Sequence, residues 1–116
     1  MSSALEIRPI DLVRVWDVLD RALPTDAQVY VFGSRATRRA KRGSDLDLAI
    51  DAGRPLSAAE TGRIADGFEE SDLPYRVDVI DLQSASAEMT SVVTRDMIDL
   101  PRAIRLAASD GLLVAP

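Results

Sequence analysis

The sequence predicts a small α/β (α+β) domain in which a mixed sheet is flanked by helices. Segments rich in β-branched and aromatic residues alternate with segments whose apolar residues recur every three or four positions. The length of 116 residues suits one domain, and a hydrophobic content of 47% is enough for a real core. We find no internal repeat, low-complexity tract or linker, so we expect a single domain over residues 1–116.

The first predicted element is a helix over residues 9–23. Pro9 suits a first helical position, and Pro24 ends the element. The apolar residues of this segment recur at three- and four-residue steps, which places them on one helix face: Leu12, Val13, Trp16, Leu19 and Leu23. We therefore expect Trp16 to pack in the core rather than to contact a ligand.

Two strands are predicted on either side of a basic segment. Residues 28–32 are rich in β-formers and end at Gly33, and residues 34–41 are expected to form a short helix or turn. Residues 45–51 alternate in the way of a strand with one apolar face. That face holds Leu46, Leu48 and Ile50, and the opposite face holds Asp45, Asp47 and Ala49.

A capping box marks the start of the second predicted helix. Residues 57–60 read Ser-Ala-Ala-Glu, so the serine and glutamate side chains are each expected to accept a backbone hydrogen bond there. The helix runs to about residue 70, and the side chains expected to face inward are Ile64, Ala65 and Phe68.

A third strand and two weaker helical patterns follow. Alternation over residues 75–80 predicts that Tyr75, Val77 and Val79 share one face of a strand. The opposite face is expected to hold Arg76, Asp78 and Ile80. Short helices are predicted over residues 86–97 and 102–108.

The chain is acidic but carries one basic segment. It has 14 Lys and Arg against 19 Asp and Glu, which gives a net charge of -5 at pH 7. The basic segment contains no acidic residue and holds Arg35, Arg38, Arg39, Lys41 and Arg42. Such a protein is a poor general binder of nucleic acid, but it is suited to hold a compact polyanion such as a nucleoside triphosphate.

The composition excludes several kinds of chemistry. The chain has no Cys, which excludes disulfides and thiolate metal sites, and no His, which excludes imidazole acid-base catalysis. Catalysis must then rest on carboxylates, hydroxyls, Lys, Arg and metal ions. The N-terminal residues lack an apolar signal core and no stretch approaches a membrane-spanning length, so we expect a cytoplasmic protein without a membrane partner.

A glycine and a serine follow the first predicted strand. Glycine lets the backbone approach a ligand closely, and a turn or helix start after it points N–H groups toward phosphate oxygens. Ser34 adds a hydroxyl, and Arg35 adds a cation that we expect to reach a phosphate. A Gly-Ser turn alone also fits an ordinary connection, and the remaining basic residues fit a solvated loop.

Three aspartates from two predicted strands are the candidate metal ligands. Asp45 and Asp47 lie two residues apart, so both carboxylates project from one strand face and repel unless a cation lies between them. Asp78 lies among apolar residues of another strand, where an unpartnered buried charge is costly. An isolated Asp-x-Asp also fits the polar face of an edge strand. An all-oxygen site suits Mg²⁺ or Mn²⁺, and two such ions can support an in-line displacement.

These residues resemble the motif of the polymerase-beta-type nucleotidyltransferases. The motif here is Gly33-Ser34, then ten residues, then Asp45-x-Asp47, with Asp78 in a later strand. The short chain and the segments G-S-R-A, S-D-L-D-L-A-I and V-D-V-I-D-L resemble the minimal nucleotidyltransferases (MNT), including the MntA-type adenylyltransferase antitoxins that pair with HEPN-domain toxins. The resemblance covers residues 29–82 well and the flanking helices loosely.

The resemblance implies a nucleotidyltransferase-type single domain and a role for each motif residue. The nucleotide-binding residues would be Gly33, Ser34, Arg35 and Ser44, with ATP as substrate. The catalytic and metal-binding residues would be Asp45, Asp47 and Asp78, which would hold two Mg²⁺ ions. Asp78 would also help to deprotonate the acceptor hydroxyl. Many relatives have a glycine soon after G-S-R-A, whereas Thr37 stands here.

The resemblance further implies that the chain transfers AMP to a tyrosine of a HEPN-domain toxin and thereby acts as its antitoxin. The chain has no room for an acceptor-binding domain, so we expect the partner to dock partly on apolar side chains of the C-terminal segment: Met97, Ile98, Ile104 and Leu106. Two alternatives stay open. The chain could neutralise the toxin by stoichiometric binding alone, or it could modify a small molecule, as the aminoglycoside nucleotidyltransferases do.

Overall fold

A computed structural model describes residues 7–37 and 44–107. The described residues form four helices and four strands, in an order that alternates as the sequence predicts. The elements are α1 (Pro9–Ala22), β1 (Gln28–Phe32), β2 (Leu46–Asp51), α2 (Ala58–Glu69), β3 (Val77–Asp81), α3 (Ala87–Asp96), β4 (Ile98–Asp99) and α4 (Leu100–Ala107).

The four strands form one mixed sheet in the order β3-β2-β1-β4. Strand β1 runs antiparallel to β2 and β4, and β2 runs parallel to β3. The β2–α2–β3 segment is thus a crossover connection between parallel strands. The predicted mixed sheet flanked by helices is confirmed. Because β2 lies between β3 and β1, the alternative of an edge strand for the Asp-x-Asp pair is wrong.

Helices cover both faces of the sheet. On one face the buried side chains Leu46, Leu48 and Ile50 of β2 pack with residues of α1, α2 and α4. On the other face Phe32 and Ala49 pack against Val93 of α3. Ala49, on the second face of β2, is therefore also buried. The prediction that β2 has a single apolar face holds only at the end of the strand near Asp45 and Asp47.

Helix α1 buries Leu12 and Leu19 as predicted, but it buries Val15 and Ala22 in place of Val13 and Trp16. Its core-facing apolar residues are Leu12, Val15, Leu19 and Ala22. Trp16 is 45% exposed and Val13 is 41% exposed, so the expectation that Trp16 packs in the core is wrong. The helix carries apolar residues around most of its circumference, so three- and four-residue spacing fits two faces. The face with Val15 and Ala22 is the one that packs in the core beside α2 and α4.

Helix α2 begins with the predicted capping box. Ser57 Oγ accepts a hydrogen bond from the Glu60 N–H, and Glu60 Oε1 accepts one from the Ser57 N–H. Ile64 is buried and Phe68 is half-buried, as expected. Ala65 is exposed, which corrects its predicted inward position, because the helix turns only its Ile64 side fully toward the core.

The C-terminal part contains a short strand that the sequence patterns did not predict. Strand β4 has two residues and pairs with β1, and α4 follows it directly from Leu100. The four side chains expected to form a docking surface are half-buried and pack against the two core clusters: Met97, Ile98, Ile104 and Leu106. Their apolar side chains therefore contribute to the core of this chain, and docking of a partner on their exposed parts remains a prediction.

Part of the basic segment lies outside the described residues. The positions concerned are Arg38, Arg39, Lys41 and Arg42. Among the residues that the structure describes, no helix is both long enough and apolar enough to cross a membrane.

Candidate active site

A tight turn at the end of β1 forms the first half of the site. Gly33 adopts a φ of 77°, in the left-handed region that favours glycine. Its carbonyl accepts hydrogen bonds from the N–H groups of Ala36 and Thr37 and from the Thr37 hydroxyl, at 3.0–3.1 Å. The N–H groups of Ser34 and Arg35 open this turn, as the first N–H groups of a helix do. The turn thus has the form expected of an anion-binding element.

Gly33 also lies directly against Asp47. Phe32, the last residue of β1, is the register partner of Asp47 in β2, so the turn begins beside this carboxylate. A Cβ atom on Gly33 would lie 2.2 Å from Asp47 Oδ2. Glycine is therefore required here for two reasons, the backbone conformation and the room that the Asp47 carboxylate occupies.

The sheet register brings the three predicted aspartates together. Asp47 and Asp78 are Cα partners across the parallel β2–β3 pair. At the start of β2, the Leu46 N–H donates to the Arg76 carbonyl at 2.8 Å and holds the two segments side by side. Asp45, which directly precedes β2, lies close enough to Asp78 to affect the ionisation of its carboxyl group. The three aspartates thus lie at one end of the sheet, beside the Gly33 turn.

The close approach of the aspartates perturbs their ionisation. Burial raises the pKa of Asp47 above its ordinary value, and repulsion from Asp78 and Asp45 adds to this effect. The hydrogen bond with Asp45 raises the pKa of Asp78, with further contributions from burial and from the Asp45 charge, while Arg76 opposes them. The raised pKa values of Asp47 and Asp78 indicate a site of concentrated negative potential.

A divalent cation fits the chemistry of this donor set. As the side chains stand, no three acidic groups in the described part of the chain are gathered closely enough to hold an ion. Asp45 and Asp78 instead contact each other, and Asp47 lies half-buried against Gly33. Oxygen ligands and mutual repulsion are the features that favour Mg²⁺ or Mn²⁺ over softer metals. Metal binding by these residues remains a prediction.

Asp78 is exposed, which corrects the expectation of a buried carboxylate. Strand β3 is an edge strand of the sheet, and the side chains that flank Asp78 point to the face covered by α2. Its carboxyl group is therefore accessible from solvent. Asp51 and Asp81 lie away from this end and accept hydrogen bonds from N–H groups of the loops after β2 and β3, which gives them a structural role.

Arg35 joins the turn to the start of the aspartate segment. Its guanidinium donates from Nε and Nη2 to the Ser44 carbonyl at 3.1 and 2.8 Å. Its Cζ atom lies 4.2 Å from the centre of the Tyr75 ring. Ser44 directly precedes Asp45, so Arg35 connects the two halves of the predicted motif. Nucleotide binding by Arg35, Ser34 and Ser44 remains a prediction.

A buried network behind the site was not predicted. Tyr75 donates its phenol proton to Asp11 Oδ2 at 2.8 Å, and Asp11 is fully buried. Burial and the Asp11 hydrogen bond raise the pKa of Tyr75 above its ordinary value. Burial opposes ionisation of Asp11, but hydrogen bonds from Arg8 and Tyr75 and the charges of Arg8 and Arg14 outweigh it and lower its pKa. The three-residue spacing of Arg8, Asp11 and Arg14 on a predicted helix could have indicated their ion pairs. No sequence pattern could have indicated Tyr75 as a partner of Asp11, because it lies 64 positions away.

The largest described cavity lies elsewhere. It has a volume of about 850 Å³ and lies between α2 and β3, with Ile64, Phe68 and Val79 among its lining residues. None of the predicted nucleotide-binding or metal-binding residues lines it. Its lining comes from the sheet face opposite Asp78, so it offers no small-molecule pocket beside the aspartates.

Residues 22–100 match the family model described as Polymerase beta, Nucleotidyltransferase. This match covers more than half of the chain and includes the Gly33 turn and all three aspartates. The chain belongs to this nucleotidyltransferase family. The family resemblance and the enzyme class predicted from the sequence are confirmed.

Known relatives of this nucleotidyltransferase are similar over most of its length. It is 38% identical over 91 residues to a probable protein adenylyltransferase MntA from Haemophilus influenzae Rd, covering 78% of this chain and 79% of the relative. It is 26% identical to a chain of a solved toxin–antitoxin structure with AMP-PNP, at a TM-score of 0.67, covering 86% of this chain and 82% of that one.

A second solved structure is a tri-AMPylated Shewanella oneidensis HEPN toxin in complex with an MNT antitoxin. The nucleotidyltransferase is 22% identical to the matched chain of that complex, at a TM-score of 0.63, covering 89% of this chain and 82% of that one. At this identity the similarity supports the fold, which is the predicted nucleotidyltransferase-type fold.

Proposed function

We propose that this nucleotidyltransferase transfers AMP from ATP to a tyrosine hydroxyl of a HEPN-domain toxin and thereby acts as its antitoxin. The observation that carries the proposal is the position of Asp45, Asp47 and Asp78 at one end of the sheet, beside the Gly33 turn. Two relatives support it: one is named a protein adenylyltransferase, and a structure 26% identical to this chain is a toxin–antitoxin pair with an ATP analogue.

The turn after β1 would hold the triphosphate of ATP. The N–H groups of Ser34 and Arg35 open the turn, and the Ser34 hydroxyl adds a donor. Ser44 lies across from this turn through its contact with Arg35. These donors would bind phosphate oxygens and fix the α-phosphorus beside the aspartates.

The three aspartates would hold Mg²⁺, with two ions expected and Mn²⁺ as a substitute. When bound, the ions neutralise the phosphate charge and stabilise the leaving pyrophosphate. In the transfer, the tyrosine oxygen forms a bond to the α-phosphorus, and the bond from the α-phosphorus to the bridging oxygen of the β-phosphate breaks. The Asp78 carboxylate accepts the hydroxyl proton. Its exposure on an edge strand gives an acceptor from another protein access to it.

The proposal includes a partner protein that presents the acceptor tyrosine. It also includes a cytoplasmic location, where ATP is available. One nucleotidyltransferase domain over residues 1–116 remains a prediction. The four C-terminal apolar residues expected to contact the partner are half-buried, so only the exposed parts of their side chains are available to it.

The test is incubation with labelled ATP, Mg²⁺ and the cognate HEPN protein. Wild type should label a toxin tyrosine, and Asp45→Asn/Asp47→Asn should not. Asp51→Asn is the matched control, because Asp51 lies at the opposite end of the same strand and its hydrogen-bonded oxygen is retained in Asn. Absence of transfer by the wild type, or equal transfer by the Asp45/Asp47 variant, would overturn the proposal.

Neutralisation by binding alone makes a different prediction in cells. If the chain acts by stoichiometric docking, Asp45→Asn/Asp47→Asn should still protect cells from the toxin and form the same complex. If it acts by AMP transfer, this variant should bind the toxin but lose protection. The large cavity between α2 and β3 does not support small-molecule transfer, because none of the predicted nucleotide-binding or metal-binding residues lines it.

A further inference from the structure

A chain of buried contacts connects helix α1 to the nucleotide-binding turn. It begins at Asp11, which is fully buried and accepts hydrogen bonds from Arg8 at 2.9 and 3.0 Å and from Arg14 at 3.3 Å. The fourth donor is the Tyr75 hydroxyl, at 2.8 Å. Because Asp11 is also held by Arg8 and Arg14, it fixes the position of the Tyr75 phenol.

The ring of Tyr75 connects Asp11 to the site, because it contacts Arg35. The guanidinium of Arg35 lies 4.2 Å above the ring centre, a distance typical of a cation–π contact. The same guanidinium donates twice to the Ser44 carbonyl. The guanidinium therefore contacts both the Tyr75 ring and the residue before Asp45, and it joins the turn to that residue.

We propose that Tyr75, held by Asp11, is a positioning residue that fixes the nucleotide-binding turn through Arg35. This inference rests on the proposed function of the turn in binding ATP. Tyr75 lies in the segment before β3 and is not one of the motif residues. Its role is to hold Arg35 and Ser44 at the spacing that the triphosphate requires, without contacting the reacting atoms.

The position of Tyr75 predicts a specific kinetic signature. A displaced turn weakens ATP binding in the ground state and in the transition state alike, which raises KM and leaves kcat nearly unchanged. Tyr75→Leu removes both the ring and the hydroxyl, and we expect the KM for ATP to rise about tenfold, the effect of one cation–π contact. Tyr75→Phe keeps the ring and should raise KM less. Tyr30→Phe is the control, because the hydroxyl of Tyr30 contacts only Gln28 among the described residues.

A double-mutant cycle tests whether Tyr75 acts through Arg35. In an Arg35→Met background, Tyr75→Leu should produce no further increase in the KM for ATP, because the contact through which it acts is already gone. Loss of fold stability alone would instead make the two effects multiply. Multiplicative effects on KM, or a fall in kcat equal to the rise in KM, would overturn the inference.

A second measurement decides the inference without any nucleotide. The N–H groups of Ala36 and Thr37 both donate to the Gly33 carbonyl, so their hydrogen exchange reports the closure of the turn. Tyr75→Leu should accelerate exchange at these two amides relative to Tyr30→Phe, and Arg35→Met should abolish the difference. If the wild type transfers no AMP, the proposed function fails while this result still supports or refutes the positioning role. Unchanged exchange at both amides in Tyr75→Leu would refute it.

Discussion

Replacement of Gly33 by alanine should have two effects, one on the backbone conformation of the turn and one on the position of the Asp47 carboxylate. The backbone of Gly33 has a φ of 77°, and an alanine held there costs about 1–2 kcal/mol. In addition, the new Cβ atom would lie 2.2 Å from Asp47 Oδ2, well inside any normal contact distance. The first effect lowers stability, whereas the second displaces a predicted metal ligand.

Gly53 provides a matched control for the backbone effect. It has the same φ of 77°, but a Cβ atom added to it meets nothing within 4 Å. Gly53→Ala should therefore lose about 1–2 kcal/mol, which lowers Tm by about 4 °C for each kcal/mol in a domain of this size. Gly33→Ala should lose at least as much, because relief of the Asp47 contact adds to the same backbone strain.

The two variants should differ sharply in activity. Relief of the contact requires the Asp47 carboxylate to move by about 1 Å, a displacement that lowers a catalytic rate about 100-fold. We expect Gly33→Ala to lose about this much kcat in the labelled-ATP assay at a temperature where both variants are folded, and Gly53→Ala to retain wild-type kcat. Wild-type kcat in Gly33→Ala, or an equal loss in Gly53→Ala, would refute the reasoning.

Three further predictions follow from described contacts. Arg54 holds the pKa of Glu60 at about 2, below its ordinary 4.5, so this stabilisation is complete above pH 4.5 and is lost as the pH falls toward 2. Glu60→Gln should lower Tm at pH 7 and flatten the dependence of Tm on pH over that window. Val15→Ala should destabilise the fold by about 2 kcal/mol in denaturant titrations, and Val13→Ala by less than about 1, because only Val15 is fully buried. Thr37→Val removes the hydroxyl that closes the turn and should raise the KM for ATP about fivefold.

Each of these predictions has a control or a contrary outcome. Glu69→Gln, at an exposed position on the same helix as Glu60, should keep the wild-type dependence of Tm on pH. Equal destabilisation by the two valine variants would contradict the assignment of the buried face of α1. Thr94→Val removes a similar hydroxyl contact on α3, to the Thr90 carbonyl, and should leave the KM for ATP unchanged.

Local patterns were sufficient for most of the strands and helix starts. Strand β1 occupies the predicted residues, because a run of β-formers that ends in glycine leaves few alternatives. The capping box at Ser57 and Glu60 was predicted because both partners lie within four residues of each other. In each case the physical determinant is local, so the sequence contains it in full.

The burial of α1 and the existence of β4 depend on contacts between distant segments. Helix α1 carries apolar residues on two sides, and packing against α2 and α4 selects the side with Val15 over the side with Trp16. Strand β4 has only two residues, and its pairing with Tyr30 and Val31 defines it as a strand. Neither feature has a local signal, because the deciding partner lies elsewhere in the chain.

The same distinction between local and long-range determinants applies to the residues of the site. The identities of the aspartates and of Gly33 could be predicted, because residue type and spacing limit the available chemistry. The depth of each carboxylate could not be, because it depends on the position of its strand in the sheet. Asp47 lies on the central strand β2, half-buried against Gly33, whereas Asp78 lies exposed on the edge strand β3. This difference suits separate tasks: the enclosed carboxylate is suited to a fixed ligand position, and the exposed one to a proton from an acceptor that arrives on another protein.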